Sequence, residues 1–260
     1  MRLLIDVGNT RIKWAVVDPQ RALPYWDPTR GMVTGWQACG ASAHAEQAAL
    51  TGSWRRFALA DAVIANVAGP MLGQQLGDLL QDSLGLPASA LHWFAATASA
   101  GGVRNGYRDP AQLGCDRFAA LIGACGLFPN RRLMVVTCGT ATTIDALEPD
   151  GQFSGGMILP GLALMATSLA RSTAQLPQID TTTVPAAMFA NHTDAAIASG
   201  CLSAQVGAIE RACQTLRGTL CLMSGGAAGV IAPALSVPYH LVDNLVLPGL
   251  QVACNISPSC

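Results

Sequence analysis

"LLIDVGNTRIKWAVVDP", residues 3–19, and "MVVTCGTATTIDALEPD", residues 134–150, carry the same succession of signals: apolar strand, glycine turn, threonine-bearing corner, second strand. Thr137 follows Asp6 by 131 positions, and Gly139 follows Gly8 by the same 131. A hairpin repeated in register at that distance predicts two similar halves, a duplicated α/β domain. Two unrelated hairpins would also each place glycine at a tight turn, so the repeat alone leaves that alternative open.

Between the hairpins the chain alternates strand and helix signals. "AVIANVAG" (62–69) reads as a buried strand, and "MLGQQLGDLLQDSLG" (71–85) has helical apolar spacing with Gly85 in the C-terminal capping place. Asp109-Pro110-Ala111-Gln112 reads as a helix opening: Asp at the N-cap, Pro at the first helical position, and Gln three residues on. That helix is expected to run on through Phe118, Leu121, Ile122 and Cys125. The longest helix is expected over 194–218, with Thr193 at its start, and "TLCLMSGGAAGV" reads as strand, glycine-rich turn and helix. The Gly/Arg-rich segment 100–108 is the expected domain crossing, which gives domains of 1–107 and 108–260.

Hydrophobic residues make up 51% of the 260 and charged residues 12%. So little charge over so much apolar sequence predicts burial at a subunit interface as well as in a core. The net charge is −1 and the arginines are scattered, which removes the electrostatic case for nucleic acid. "MRLLID" is not a signal peptide, because Asp6 interrupts its short apolar run. The low-charge stretch 218–242 carries Gly225, Gly226, Pro233 and Pro238, so it reads as strand, turn and helix rather than a membrane span. None of the nine cysteines forms a C-x-x-C pair, and the four histidines (44, 92, 192, 240) lack zinc spacing. The expected setting is a reducing cytoplasm.

Lys13 is the only lysine; the other basic residues are all arginine. It follows a turn in which Gly8 permits a left-handed backbone and lets N–H groups approach an anion. Asn9 and Thr10 add short neutral donors, and Asp6 at the strand end can hold Mg²⁺ directly or through water. Lys13 then supplies a mobile point charge for a polyphosphate; read alone, it is equally a solvated strand residue. "GTATT" (139–143) and "SGG" (224–226) offer two more backbone-rich turns, and there is no Walker A motif. In "GCDR" (114–117) Asp116 can accept a hydroxyl proton and Arg117 can clamp an acidic substrate. The bland alternative is an ordinary surface ion pair.

"DVGNTRIKW", "YRDPAQLGCDR", "GTATTID", "FSGGMILPGLALM", "SGG" and "NLVLPGL" stand in the order seen in type III pantothenate kinases, and the chain resembles that family over nearly its whole length. The resemblance implies the acetate-and-sugar-kinase/Hsp70/actin fold: two duplicated actin-like, ribonuclease H-like α/β domains with nucleotide in the cleft. It implies ATP- and Mg²⁺-dependent phosphorylation of pantothenate to 4'-phosphopantothenate, the first step of coenzyme A synthesis, by a cytoplasmic homodimer. Asp6, Val7, Gly8, Asn9, Thr10, Arg11, Ile12 and Lys13 then correspond to the ATP phosphate loop, and Thr140 to a further nucleotide contact. Asp116 resembles the proton acceptor; Tyr107, Gly114, Cys115, Asp116, Arg117 and Thr193 resemble the pantothenate contacts. The family also implies a monovalent cation, K⁺ or NH₄⁺. Thr137 stands where many members have the aspartate that binds it, so indifference to K⁺ is expected. A regulatory, transcription-associated accessory protein on the same scaffold is the alternative from another class, and a sugar or acid kinase is a third. Retention of Asp6, Lys13, Asp116 and Arg117 favours catalysis.

Overall fold

The structure is a computed structural model and describes residues 1–21, 23–183 and 187–256. It holds two compact units: residues 1–129 with 151–153 and 244–260, and residues 130–150 with 154–243.

The first unit is built on strands β1 (Arg2–Val7), β2 (Arg11–Val17), β3 (Ala38–Ala43), β4 (Asp61–Asn66) and β5 (Leu91–Trp93). The second is built on β6 (Leu133–Cys138), β7 (Ala141–Leu147), β8 (Phe153–Pro160, whose first residue belongs to the first unit), β9 (Leu220–Ser224) and β10 (Tyr239–Leu241). Both sheets have the same spatial order, β3-β2-β1-β4-β5 and β8-β7-β6-β9-β10. In each, the central strand pairs antiparallel with its hairpin partner and parallel with the strand on its other side. This identity of order and direction is the duplication expected from the repeat.

The repeat is imperfect at one point. Val7 faces Ile12 across the first hairpin and Cys138 faces Thr142 across the second. The second turn is therefore one residue shorter.

Among the described residues seven helices accompany the sheets: α1 (Gln47–Trp54), α2 (Pro70–Leu84), α3 (Cys115–Leu127), α4 (Leu162–Ser172), α5 (Thr193–Thr215), α6 (Ala228–Ile231) and α7 (Val246–Ile256). Leu3, Ile5 and Val7 share a core with Leu50 and Trp54 of α1 and Leu76 and Leu80 of α2, while α3 and α7 pack on β4 and β1. A strand covered on both faces needs no polar alternation, which is why residues 3–5 are all apolar. In the second unit Val136, Ile144 and Met223 of the sheet meet Ala166, Ile209 and Ile231 of α4, α5 and α6.

The units divide the chain differently from the expected 1–107 and 108–260. Helix α3 and the returning α7 both belong with the first sheet because their backbones touch. A Cβ on Gly249 would lie 1.7 Å from the Ala119 carbonyl oxygen, and one on Gly123 would lie 2.1 Å from that of Leu245. Asn244 starts α7 by accepting the Leu247 N–H at 2.7 Å. Segment 100–108 lies inside the first unit, where Ser99–Ala100 and Val103–Arg104 form a small hairpin.

The helix expected over 71–85 is present as Pro70–Leu84, with Pro70 at its first turn and Gly85 in the left-handed conformation at its end. The Asp109 cap is also real, since its carboxylate accepts the Ala111 N–H at 3.1 Å. It opens only the 3₁₀ turn Pro110–Gln112; the chain then extends through Leu113 and Gly114, and α3 begins at Cys115. Burial of the Leu113 side chain holds that break. Residues 220–241 form β9, α6, a 3₁₀ turn and β10, and among the described residues no helix is long and apolar enough to cross a membrane. No disulfide joins the eight described cysteines; Cys260 lies outside the described residues.

Candidate active site

Strand β1 delivers Asp6 to the C-terminal edge of its sheet, beside the parallel strand β4 and opposite Lys13 on β2. Strand ends at such an edge are where open α/β sheets bind ligands. Asp6 is 7% exposed, and no described residue donates a hydrogen bond to its carboxylate. Burial pushes its pKa up to about 6; the Lys13 charge opposes the rise and the Asp116 charge adds to it. A buried carboxylate without a donor is well matched to a cation. Among the described residues no three His, Cys, Asp or Glu side chains form a metal cage, so the donor set fits Mg²⁺ held by one or two carboxylates plus phosphate oxygens.

The turn that follows differs from expectation in an informative way. Neither Gly8 nor Gly139 has a positive φ, so the left-handed backbone expected at Gly8 is absent. A Cβ at Gly8 would meet only the Arg11 carbonyl oxygen at 3.4 Å, and one at Gly139 only that of Ala141 at 3.6 Å, both ordinary contacts. The fold demands glycine at neither position. What the missing side chain leaves is open space over the backbone, as close approach of an anion requires. Asn9, Thr10 and Arg11 around the turn are exposed, whereas Val7 and Ile12 are buried and anchor it in the core.

Asp116 lies in the first turn of α3, where the helix dipole favours negative charge. Its Oδ1 accepts the Arg117 N–H at 2.7 Å. Burial raises its pKa, against the opposing pull of the Arg117 N–H and guanidinium. A Cβ on Gly114 would come within 2.8 Å of that Oδ1, so the glycine of "GCDR" makes room for the carboxylate. Arg117 is no surface ion pair. It is 8% exposed, donates from Nη1 to the Tyr107 hydroxyl at 2.9 Å and lies 5.6 Å from that ring's centre. Tyr107 rests on Phe153, 5.5 Å between rings.

Two residues not singled out from sequence complete this arrangement. Asn66, at the end of β4, donates to the Gly69 carbonyl at 2.9 Å and accepts the Ala68 N–H at 3.0 Å. Its own carbonyl lies 3.5 Å from the Cys115 thiol, tying the start of α3 to the sheet edge that carries Asp6. Burial, with the Asp116 charge, pushes the Cys115 thiol up to about 11, so it is a packing group rather than a nucleophile. His44 places Nε2 2.9 Å from the Gly8 carbonyl oxygen. A polar residue ending the apolar run "AVIAN" was a readable sign for Asn66; an isolated histidine gave none for His44.

The first unit thus brings together Asp6, the 8–10 turn, Lys13, Tyr107 and residues 114–117. Thr140 and Thr193 belong to the second. Thr140 is exposed in the second turn, where its carbonyl accepts the Gly161 N–H at 2.9 Å. The "SGG" turn closes on the same hairpin: the Ala227 N–H bonds the Cys138 carbonyl at 3.0 Å, and Gly225 approaches that carbonyl so closely that a Cβ would lie 2.4 Å away. Thr193 is the exposed first residue of α5; His192 holds the N-cap position.

Residues 2–215 match the family of type III pantothenate kinases. The chain belongs to that family. Type III pantothenate kinases from Janthinobacterium sp. (strain Marseille) and Herminiimonas arsenicoxydans are each 52% identical to it over the whole of both chains. One from Azoarcus sp. (strain BH72) is 46% identical, covering all of this chain and 94% of its own. Among solved structures, a protein from Sinorhizobium meliloti assigned as a 2-dehydro-3-deoxygalactonokinase superposes with a TM-score of 0.61 at 14% identity, covering 98% of this chain and 99% of its own. One from Campylobacter jejuni assigned to the Baf family of transcriptional activators gives 0.59 at 19%, covering 99% and 100%. At such identities the likeness concerns the fold alone, the duplicated actin-like one. In this member of the pantothenate kinase family the glycine turn and the "GCDR" helix start belong to the same unit.

Proposed function

We propose that this chain transfers the γ-phosphoryl group of ATP to the primary alcohol of pantothenate, giving 4'-phosphopantothenate at the first step of coenzyme A synthesis. The observation that carries this is the pairing, in one unit, of an open glycine turn beside buried Asp6 with the half-buried, pKa-raised carboxylate of Asp116. Residues 8–10 offer backbone and short side-chain donors to the phosphates, and Lys13 adds positive charge. Asp6 would hold a divalent ion, which when bound would neutralise charge on the phosphoryl oxygens. Asp116 takes the proton of the attacking hydroxyl; its raised pKa makes it a better base than an ordinary aspartate. Tyr107 presents the buried Arg117 guanidinium toward the pantothenate carboxylate, an anion its planar fork suits. Thr140 adds a nucleotide contact and Thr193 a pantothenate contact. Purified protein with Mg²⁺ and ATP should release ADP on addition of pantothenate and not of hexoses or sugar acids. No release with any acceptor would favour the regulatory reading.

The working form we propose is a cytoplasmic homodimer. Besides composition, exposed Met157 and Ile158 on the edge strand β8 and exposed Leu164 on α4 support it. Light scattering at micromolar concentration should give twice the chain mass, and a monomer mass would overturn this.

Thr137 lies opposite Thr143, so the cross-strand pair of the second hairpin is neutral where the first has Asp6 and Lys13. Exchange of K⁺ for Na⁺ at constant ionic strength should therefore change turnover by less than about twofold, screening being held fixed. Strong K⁺ activation would assign a cation site to other oxygens.

A further inference from the structure

Strand β3 ends with Ala43 opposite Arg11, so the next residue, His44, emerges beside the Gly8 turn. Its Nε2 lies 2.9 Å from the Gly8 carbonyl oxygen. A carbonyl only accepts, so Nε2 carries the proton. The Nδ1 atom is buried and meets no partner among the described residues. The ring therefore makes one polar bond, and it goes to the turn.

The N–H of Gly8 is already engaged by the Arg11 carbonyl at 3.1 Å. A trans peptide holds its C=O and N–H on opposite sides, so drawing the Gly8 carbonyl toward His44 turns the Asn9 N–H the other way. A glycine with no steric crowding at its Cβ position sets little barrier against rotation of that peptide. Something else must hold it.

We propose that His44 is a positioning residue for phosphoryl transfer: its Nε2–H latches the Gly8–Asn9 peptide so that the Asn9 N–H is presented to the phosphates of ATP. The inference rests on the reading of residues 8–10 as the phosphate turn. It concerns orientation alone; His44 touches neither substrate.

The test compares H44F, which keeps a ring and loses the donor, with H44Q, which keeps a donor at similar reach, and with K13A as a control on the turn's role. H44F should raise KM for ATP about tenfold, the scale of one hydrogen bond to a charged group. KM for pantothenate should stay within about twofold, and H44Q should return KM for ATP to within about threefold of wild type. An unchanged KM for ATP in H44F while K13A raises it would overturn the latch and leave the phosphate turn standing. No change in either variant would overturn both. An equal loss in both KM values and in kcat would show that His44 only supports the fold. Should H44F not fold, amide exchange at Asn9 in the wild type decides: protection on adding ATP with Mg²⁺ is expected, and none would overturn the proposal.

Discussion

Asp116→Asn should fold normally and lose about 10²–10⁴-fold in kcat, the usual contribution of a positioned general base. The substitution is nearly isosteric, and an amide oxygen in place of Oδ1 still accepts the Arg117 N–H that now lies at 2.7 Å. The helix start and the room made by Gly114 are therefore kept. What disappears is the group proposed to accept the hydroxyl proton. Steady-state kinetics beside circular dichroism would check both halves, with ATP affinity expected to hold. Turnover within about threefold of wild type would reject Asp116 as the base.

Asp6→Asn should separate stability from activity in opposite directions. Burial raises the Asp6 pKa from its ordinary 3.8 to about 6. A carboxyl group that holds its proton more tightly when folded favours the folded state below about pH 4, and that advantage is lost as pH rises through about 6. At pH 8 the ionised, buried carboxylate then costs up to about 3 kcal/mol, from about 2 pKa units at 1.36 kcal/mol each. Asn is neutral throughout. In EDTA without nucleotide, denaturant titration should find the variant more stable than wild type at pH 8, with the difference shrinking toward pH 4. The same variant should lose about 10²-fold or more in kcat/KM for ATP with Mg²⁺, because the charge proposed to hold the cation is gone. A variant less stable than wild type at pH 8 would mean that Asp6 is ionised at no cost in the apo protein.

Features written in local chemistry were legible in the sequence. Gly85 closes α2 because a helix C-terminus welcomes a left-handed residue. The repeated hairpin gave the duplicated fold because a shared register of apolar, glycine and threonine positions leaves few other ways to pair. Features set by distant contacts were not legible. The Asp109 cap is chemically sound, yet α3 starts only at Cys115, after the chain extends to bury Leu113. No local pattern announces that Gly123 and Gly249 will touch each other's helices and return the C-terminal helix to the first unit.

At the candidate site the local geometry differs from what the sequence suggested for several residues. Gly8 matters for the space above it and not for a left-handed turn, since its φ is not positive. Asp116 and Arg117 are adjacent in sequence, but the guanidinium is buried against Tyr107 rather than paired at the surface. His44 bonds a backbone carbonyl, a contact that leaves almost no mark on a sequence, whereas Asn66 is marked only as a polar end to an apolar run.

The most direct test of the central claim is a rapid-quench single turnover with excess protein, Mg²⁺, pantothenate and ATP labelled in the γ-phosphoryl group. The label should pass to 4'-phosphopantothenate with wild-type protein, while Asp116→Asn binds the same ATP and transfers little of it on that timescale. Label that stays in ATP, or leaves only as inorganic phosphate while pantothenate is unchanged, would contradict it.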